Sequence, residues 1–408
     1  MEIYLVGGAV RDQLLGLPVK ERDWVVVGSD VDEMISLGYR PVGKDFPVFL
    51  HPETNEEYAL ARTERKTAAG YHGFNFHASP DVTLEEDLVR RDLTINAIAQ
   101  SVDGNIIDPF DGQADIQAKV FKHVSSAFSE DPVRILRLAR FSARFPDFST
   151  DPDTLSLMQD MVSSGETSAL VPERVWQELH KALTEDTPTN FIKVLRSCGA
   201  LEVILPEVSQ LYGVPQPPKW HPEIDTGIHT ELVLEQASKL SKETCVRFAA
   251  LVHDLGKGTT PADILPSHHG HEKRGARMIK ELADRLRIPN DFRDLGMITS
   301  QYHTHVHKAA ELKASTVAKT LKSVDAYRKP ERFEQFLLAC EADARGRTGL
   351  ELQPYPQADY YREAYLAASN IVTDDINMSE MGGQKIAAEI ERRRVTAIAK
   401  IDKPVLAN

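Results

Sequence analysis

The sequence predicts a mixed α/β head followed by a mostly α-helical chain, and three observations predict it. The apolar run Ile3–Val6 stops at Gly7-Gly8, a helix-like run from Ala9 to Leu15 follows, and Trp24-Val25-Val26-Val27 reads as a β-branched strand. From about Asp147 to Tyr212 the chain reads as helical, with an amphipathic stretch from Phe191 to Leu211. Val214-Pro215-Gln216-Pro217-Pro218-Lys219 then breaks any helix, and most of the 14 histidines lie beyond it, between His221 and His307.

At 408 residues the chain is long enough for several domains with cores of their own. Its net charge of −13 argues against a generally basic, non-specific nucleic-acid binder, although a local basic face suffices for RNA. Cys198, Cys245 and Cys340 lie far apart with no CxxC pairing, the usage of a reducing compartment without a disulfide framework or cysteine zinc site. No basic leader with a long apolar stretch and no run of about 20 apolar residues occurs, so a cytoplasmic protein with no membrane partner is expected.

Taken in order, Ser29-Asp30 can cap a short helix from Val31 to Leu37. Pro47–Leu50 and Glu57–Ala61 read as short strands that join the first two in a small mixed sheet. Thr63–Ser79 is polar, glycine-bearing and aromatic-spotted, and is expected to be a loop that closes over substrate. Thr83 and Glu86 form a capping box for a helix containing LVRRDLTINAIA. Ile106-Ile107 leads into a turn at Asp108–Gly112. Ser129 or Asp131 can cap the next helix, with Pro132 in its first turn and VRILRLARFSARF beyond.

Glu21 and Asp23 are two apart, so a strand would place both carboxylates on one face. Such a pair repels itself unless a cation intervenes, and Mg²⁺ takes oxygen ligands of this kind together with substrate phosphates. A Gly-Gly turn opening a helix offers backbone N–H groups to a phosphate, and Arg11 adds charge one turn on. Taken singly, a Gly-Gly turn and an acid-x-acid edge are ordinary features. Together, a dozen residues apart in a strand–helix–strand frame, they are far more specific.

GG-x-VRD followed by [DE]-x-D resembles the signature of the DNA polymerase β-like nucleotidyltransferases. The form GGAVRD…ERDWVVVG is similar to the class II tRNA nucleotidyltransferases, which add C-C-A to tRNA, and to the bacterial poly(A) polymerases. Glu21 departs from the Asp usual there, being one methylene longer. The resemblance implies a third catalytic carboxylate at Glu57, within EYALAR. It implies nucleotide binding by Gly8, Arg11, Arg91 and Asp92, the last two within an RRD-x-x-x-N motif that ends at Asn96. It also implies nucleotide contacts from EDPVR and its helix, at Asp131, Arg134, Arg137 and Arg140. Those arginines recur, with Arg144, at helical spacing. An ordinary surface helix would solvate such a stripe; in an acidic chain it is where phosphates are expected. Asp131 offers only acceptors and Arg134 only donors, the order that fits the pairing edges of C and A and mismatches U and G.

Past the linker, His229, then His253-Asp254 in AALVHDLGKG, then Asp343 in EADARGR resemble the HD metal-dependent phosphohydrolases. Nitrogen with oxygen ligands suits borderline transition metals, and a divalent ion such as Ni²⁺ is expected there. His268, His269, His271, His303, His305 and His307 are further candidates that spacing does not sort.

The resemblance spans essentially the whole chain and is closest to the multifunctional C-C-A-adding enzymes of gammaproteobacterial type. It implies a nucleotidyltransferase head at 1–140 and a helical neck and body at 141–213. A Pro-rich linker follows at 214–225, an HD domain at 226–345 and a helical tail at 346–408. The implied partners are tRNA, CTP and ATP, with the chain a monomer or weak homodimer, and the implied HD activities are 2′,3′-cyclic phosphodiesterase, 2′-nucleotidase and phosphatase. The competing readings are a poly(A) polymerase, an RNA-binding HD phosphohydrolase with an inactive head, and a non-enzymatic RNA scaffold that uses the arginine helix.

Overall fold

The computed structural model describes residues 1–42, 48–66, 74–372 and 382–405. The chain forms two compact units, Met1–Leu179 with Lys193–Ile204, and His180–Ile192 with Leu205–Asn408.

The first unit begins with β1 (Glu2–Val6), α1 (Gly8–Leu14), β2 (Asp23–Val27) and α2 (Val31–Ser36). β3 (Arg40–Val42), β4 (Val48–Leu50) and β5 (Glu57–Leu60) follow, then a hairpin of β6 (Arg62–Lys66) and β7 (Phe74–Ala78). Next come α3 (Leu84–Val89), β8 (Ala99–Ser101), β9 (Ile106–Ile107), α4 (Gly112–Ala118) and α5 (Val133–Arg144). The main sheet has seven strands in the order β3-β4-β5-β2-β1-β8-β9. β2 and β5 run parallel and their neighbours antiparallel. Alternation along β2 feeds both faces: Val25 joins a core with Val6, Leu88, Ala97 and Ala99, while Val26 joins Met34, Phe49, Tyr58 and Leu60.

The caps expected at Asp30 and Thr83 hold, while at α5 the N-cap position is Pro132, which has no side-chain cap. The Asp30 side chain accepts from the Glu33 N–H, and Thr83 with Glu86 makes both bonds of a capping box. Two expectations change. β2 begins at Asp23, so Glu21 precedes the strand instead of sharing its face. LVRRDLTINAIA is not one helix: α3 stops at Val89, Arg90 to Asp92 turn, and Thr94–Asn96 form a 3₁₀ turn. Asp92 accepts from its neighbour's N–H, at Leu93, a local bond that favours a turn over helix continuation. The loop expected over Thr63–Ser79 contains the β6–β7 hairpin, and its centre, 67–73, lies outside the described residues.

Helices α6 (Pro152–Ser163), α7 (Pro172–Thr184), α8 (Thr189–Ser197), α9 (Ala200–Ile204) and α10 (Pro206–Ser209) follow. The second unit is a helical bundle of α11 (Thr226–Leu240), α12 (Thr244–Val252), α13 (His271–Leu286), α14 (Asn290–His307), α15 (Ala314–Ser323), α16 (Pro330–Arg345), α17 (Pro356–Ser369) and α18 (Gly383–Ile398). Its core joins Leu295, Val317, Leu321, Phe336, Leu337 and Tyr361. The Pro-rich segment packs against this bundle: Gln216 is buried and accepts from Lys257 Nζ at 2.6 Å, and Pro215 bridges Asp225. Among the described residues no helix is long and apolar enough to cross a membrane.

Candidate active sites

Strand register assembles the acids of the head. Asp23 pairs with Val6 on one side, immediately before Gly7-Gly8, and with Glu57 on the other. Residues paired across neighbouring strands point to the same face, so Asp23 and Glu57 stand together, open to solvent. Glu21 lies close enough for its charge to act on Asp23. The Asp23 carboxyl is held above its ordinary range: crowding by protein disfavours the charge and, with repulsion from Glu21, outweighs the relief that Arg91 and Arg137 give. A divalent cation relieves such strain, so these oxygens fit one.

Gly7, not Gly8, is the glycine that the turn requires. Its φ is +67°, and a Cβ there would stand 2.9 Å from Arg91 Nη1. Arg91 is held at that spot by Asp87 Oδ2 at 3.2 Å and the Asn96 carbonyl at 3.4 Å. Asp87, fully buried, also accepts from Arg90 at 2.6 Å. The adjacent arginines therefore have an anionic partner inside the head, which Leu84–Val89 supplies.

The other predicted arginines are committed in the same way. Arg11 is buried; it donates to Asn96 Oδ1 at 2.6 Å and to Asp12 Oδ1 at 2.8 Å, and lies over the Phe141 ring. Arg137 Nε donates to Asp92 Oδ2 at 2.7 Å, while Asn96 Nδ2 donates to Asp92 Oδ1 at 3.0 Å. Burial works against the Asp92 charge, but Arg137 and Asn96 outweigh it and hold the carboxyl far below its usual range. Arg140 pairs with Glu178 at 2.6 Å and Arg144 with Asp12 at 2.8 Å. The stripe on α5 is a set of internal ion pairs, not a solvated face.

Asp131 and Arg134 meet at the start of α5, each with partners of its own. Asp131 accepts from the Val133 N–H at 3.0 Å and from Arg174 at 3.3 Å. Arg134 is buried and donates to the carbonyls of Ala127 and Arg90 at 2.8 and 2.6 Å. A base edge reading this pair must compete with these contacts.

In the bundle, His229 comes from α11, His253-Asp254 from the end of α12 and Asp343 from α16. All four are at most 3% exposed. His229 Nε2 is 3.1 Å from Asp343 Oδ1, and His253 Nε2 is 3.7 Å from that same oxygen and 3.1 Å from Asp254 Oδ2. His253 Nδ1 lies 2.7 Å from the Ala250 carbonyl, which places its proton outward and turns the Nε2 lone pair inward. Burial works against charge on His253, yet without a cation the facing Asp254 and Asp343 raise it to about 8, so a metal on Nε2 would take the place of a proton there. His253 and Lys257, the latter at 2.6 Å, hold Asp254 well below the carboxylate range despite burial. Asp254 Oδ1 and His253 Nε2 lack a hydrogen-bond partner, while Asp254 Oδ2 is met by the Lys257 ammonium. Buried, unpartnered and of mixed nitrogen and oxygen chemistry, these atoms fit a divalent metal.

The structure adds groups that spacing did not sort. His271 and His303 face Asp254, and His307 Nε2 bonds Asp343 Oδ2 at 2.7 Å. Glu223, from the Pro-rich segment, lies 2.9 Å from His229 Nδ1. Histidine content marked the region; the partner of each ring depends on packing. In the tail, Arg392 and Arg393 pair with Glu389, and Arg394 covers the Tyr327 ring.

A mixed-sheet head with grouped acids and arginines, joined to a helical His/Asp bundle, defines a nucleotidyltransferase carrying an HD domain. Residues 3–122 match the Poly A polymerase head domain, 147–211 the family described as "Probable RNA and SrmB- binding site of polymerase A", and 226–329 the HD domain. The chain is 61% identical to the Multifunctional CCA protein of Thioalkalivibrio sulfidiphilus over 403 residues, covering 98% of each. It is likewise 61% identical to that of Chromobacterium violaceum over 400 residues, again covering 98% of each. It belongs to the multifunctional CCA protein family. The fold is shared with a CCA-adding enzyme solved with ATP (TM-score 0.67, 20% identity, 98% of this chain and 88% of the other). A Thermotoga maritima CCA-adding enzyme complexed with tRNA shares it too (TM-score 0.63, 20% identity, 99% and 88%).

Proposed function

We propose that the head adds and repairs the terminal C-C-A of tRNA with CTP and ATP, without a nucleic-acid template, and that the bundle hydrolyses phosphate esters. The observation that carries the first part is the register that sets Asp23 beside Glu57 at the Gly7-Gly8 turn. Glu21, Asp23 and Glu57 would hold Mg²⁺, which supplies charge stabilisation for the attacking and leaving oxygens of nucleotidyl transfer. Gly7 and Gly8 keep the turn free of side chains where a triphosphate approaches. Arg11, Arg91, Arg137 and Arg140 bind its phosphates, sharing N–H groups now given to Asp12, Asp87, Asp92 and Glu178. Asp92 meets the ribose, and Asp131 with Arg134 reads the amino group and ring nitrogen of C or A.

In the bundle, His229, His253, Asp254 and Asp343 would hold a borderline transition metal, for which Ni²⁺ is the candidate, to polarise a phosphate ester. We read 1–140 as head, 141–213 as neck and body, 214–225 as linker, 226–345 as HD domain and 346–408 as tail. The chain works in the cytoplasm, alone or as a weak homodimer.

Incorporation into tRNA lacking its C-C-A tests the head. CTP alone should add C, and CTP with ATP should complete C-C-A and stop. Long A runs from ATP alone would make the head a poly(A) polymerase.

A further inference from the structure

We propose that Arg347 binds the phosphate group of the substrate at the mouth of the bundle site, its planar fork meeting two free oxygens of the ester. This rests on the reading above that the bundle hydrolyses phosphate esters. Arg347 follows the end of α16, four residues past Asp343, and the backbone around it is fixed. Gly346 lies against α11: a Cβ there would stand 2.7 Å from Val233 Cα, one turn beyond His229. The backbone of a packed helix cannot yield, so only glycine fits there. On the other side, the Thr348 N–H donates to Glu223 Oε2 at 3.4 Å, and Glu223 Oε1 lies 2.9 Å from His229 Nδ1. Arg347 is thus pinned between α11 and the Pro-rich segment.

Its donors are unspent. Arg347 Nε is buried without a hydrogen-bond partner, and among the described residues no carboxylate or carbonyl accepts from the guanidinium. Other bundle arginines with a buried, unpartnered Nε place their charge elsewhere. Arg332 pairs with Asp294 and Arg345 with Glu341, and Arg394 lies over the Tyr327 ring. Arg247, wholly buried in the same bundle, donates to the carbonyls of Leu183, Glu185, Ser238 and Ser241. A guanidinium keeps its charge and offers only donors, so burying part of it without an acceptor is costly. A solvated surface arginine would turn Nε to water. Arg347 instead keeps its fork for an anion that arrives from outside.

The fork stands where such an anion enters. His229, His253, Asp254 and Asp343 are closed off, whereas the His221 and His307 side chains keep 12% and 16% of their surface. The Arg347 charge reaches both of these rim rings and Tyr355. Burial chiefly lowers His221 and His307, and Arg347 lowers them further; burial raises Tyr355, and Arg347 opposes it. Charge balance points the same way. A divalent ion together with Lys257, which pairs with Asp254 at 2.6 Å, offsets Glu223, Asp254 and Asp343. A phosphate ester then adds negative charge that those groups do not balance. Arg347 balances it at the rim, and parallel N–H donors match two non-bridging oxygens. A phosphate monoester and a 2′,3′-cyclic phosphate both keep two such oxygens, so one residue serves both.

The test titrates inorganic phosphate into the Co²⁺-loaded full chain by calorimetry. The head contributes equally to parent and variant, so their difference belongs to the bundle. Arg347→Gln should weaken phosphate binding about 10- to 100-fold, the scale of a lost bidentate, charge-assisted contact. The KM for p-nitrophenyl phosphate should rise with it, while Co²⁺ affinity stays within about twofold of the parent. Arg347→Lys keeps the charge without the fork and should fall between the two; checked by circular dichroism, it supplies the comparison if the glutamine variant does not fold. Guanidinium ion at a non-denaturing concentration, but not urea, should restore part of the phosphate release lost in Arg347→Ala. Unchanged phosphate binding in folded Arg347→Gln overturns the proposal and leaves the phosphohydrolase reading intact. Equal losses of phosphate and Co²⁺ affinity also overturn it, since Arg347 would then support the metal ligands instead of the substrate. A parent chain that binds no Co²⁺ in the bundle and releases no phosphate overturns both.

Discussion

In the first compact unit, Arg11, Arg91, Arg137, Arg140 and Arg144 each donate to an acceptor of that unit, whereas in the helical bundle His253, Asp254 and His271 keep buried polar atoms without hydrogen-bond partners. The difference follows from side-chain chemistry. A guanidinium is charged at every accessible pH, so a buried one needs a permanent acceptor. An imidazole can stay neutral, point its N–H outward at a carbonyl and leave a lone pair inward. Those arginines thus already hold acceptors that they can exchange for others, as phosphate binding requires, although Arg91 Nε is itself buried without a partner. The bundle is complete only with a cation.

The largest expected effect comes from separating the two chemistries. Asp23→Asn keeps shape but removes a negative oxygen beside Glu57, and nucleotide incorporation should fall by about 10³ or more, the scale of losing several kcal/mol of metal-borne stabilisation. Phosphatase activity should stay. His253→Ala with Asp254→Ala should do the reverse. Initial rates of tRNA end-labelling and of metal-dependent phosphate release in both variants decide it. Either variant losing both activities while folded would end the two-site picture.

Next comes the self-compensation of the head. Asp87 is fully buried and serves Arg90 and Arg91, so Asp87→Asn leaves two cations short of an anion and should destabilise the head by about 3 kcal/mol at neutral pH. Burial raises the Asp87 carboxyl, but Arg90 and Arg91 outweigh it and the net shift is downward. A folded pKa below the unfolded value of about 3.9 gives stability that is full above that value and lost as pH falls through the folded pKa. Denaturant midpoints of the two proteins should therefore stay apart above about pH 5 and converge below about pH 4. Parallel curves to pH 3 would show that charge on Asp87 is not what holds the arginines.

The contrast also explains what could be read from residues alone. Gly7-Gly8, Asp23 and Glu57 were legible because strand periodicity and short turns fix their geometry locally. Glu21 lies two residues before β2 because the local pattern fixes a strand end only to within a residue or two. Asp87 is not legible in this way, since a lone carboxylate in a helix reads as solvated until packing buries it. Among the histidines, the HD doublet stood out in its apolar run. The roles of His271 and His303 depend on how α13 and α14 pack, which no local pattern states.

The smallest expected effect lies in the tail, at Tyr355. Tyr355 is buried, and its Oη is 2.7 Å from His307 Nδ1, whose Nε2 is 2.7 Å from Asp343 Oδ2. This chain of contacts holds the outer oxygen of Asp343, so Oδ1 is left to face His229 and His253. Residues that orient a ligand without touching the metal affect affinity about 10- to 100-fold. Tyr355→Phe keeps the ring and its packing but frees His307 Nδ1, so the imidazole can rotate and Asp343 with it. Metal affinity of the bundle, titrated with Co²⁺, should weaken about tenfold, the lower end because His307 itself remains. Nucleotide addition by the head should not change. If Tyr355→Phe binds Co²⁺ as tightly as the parent, α16 alone holds Asp343 in place, and the tail has no part in positioning the metal.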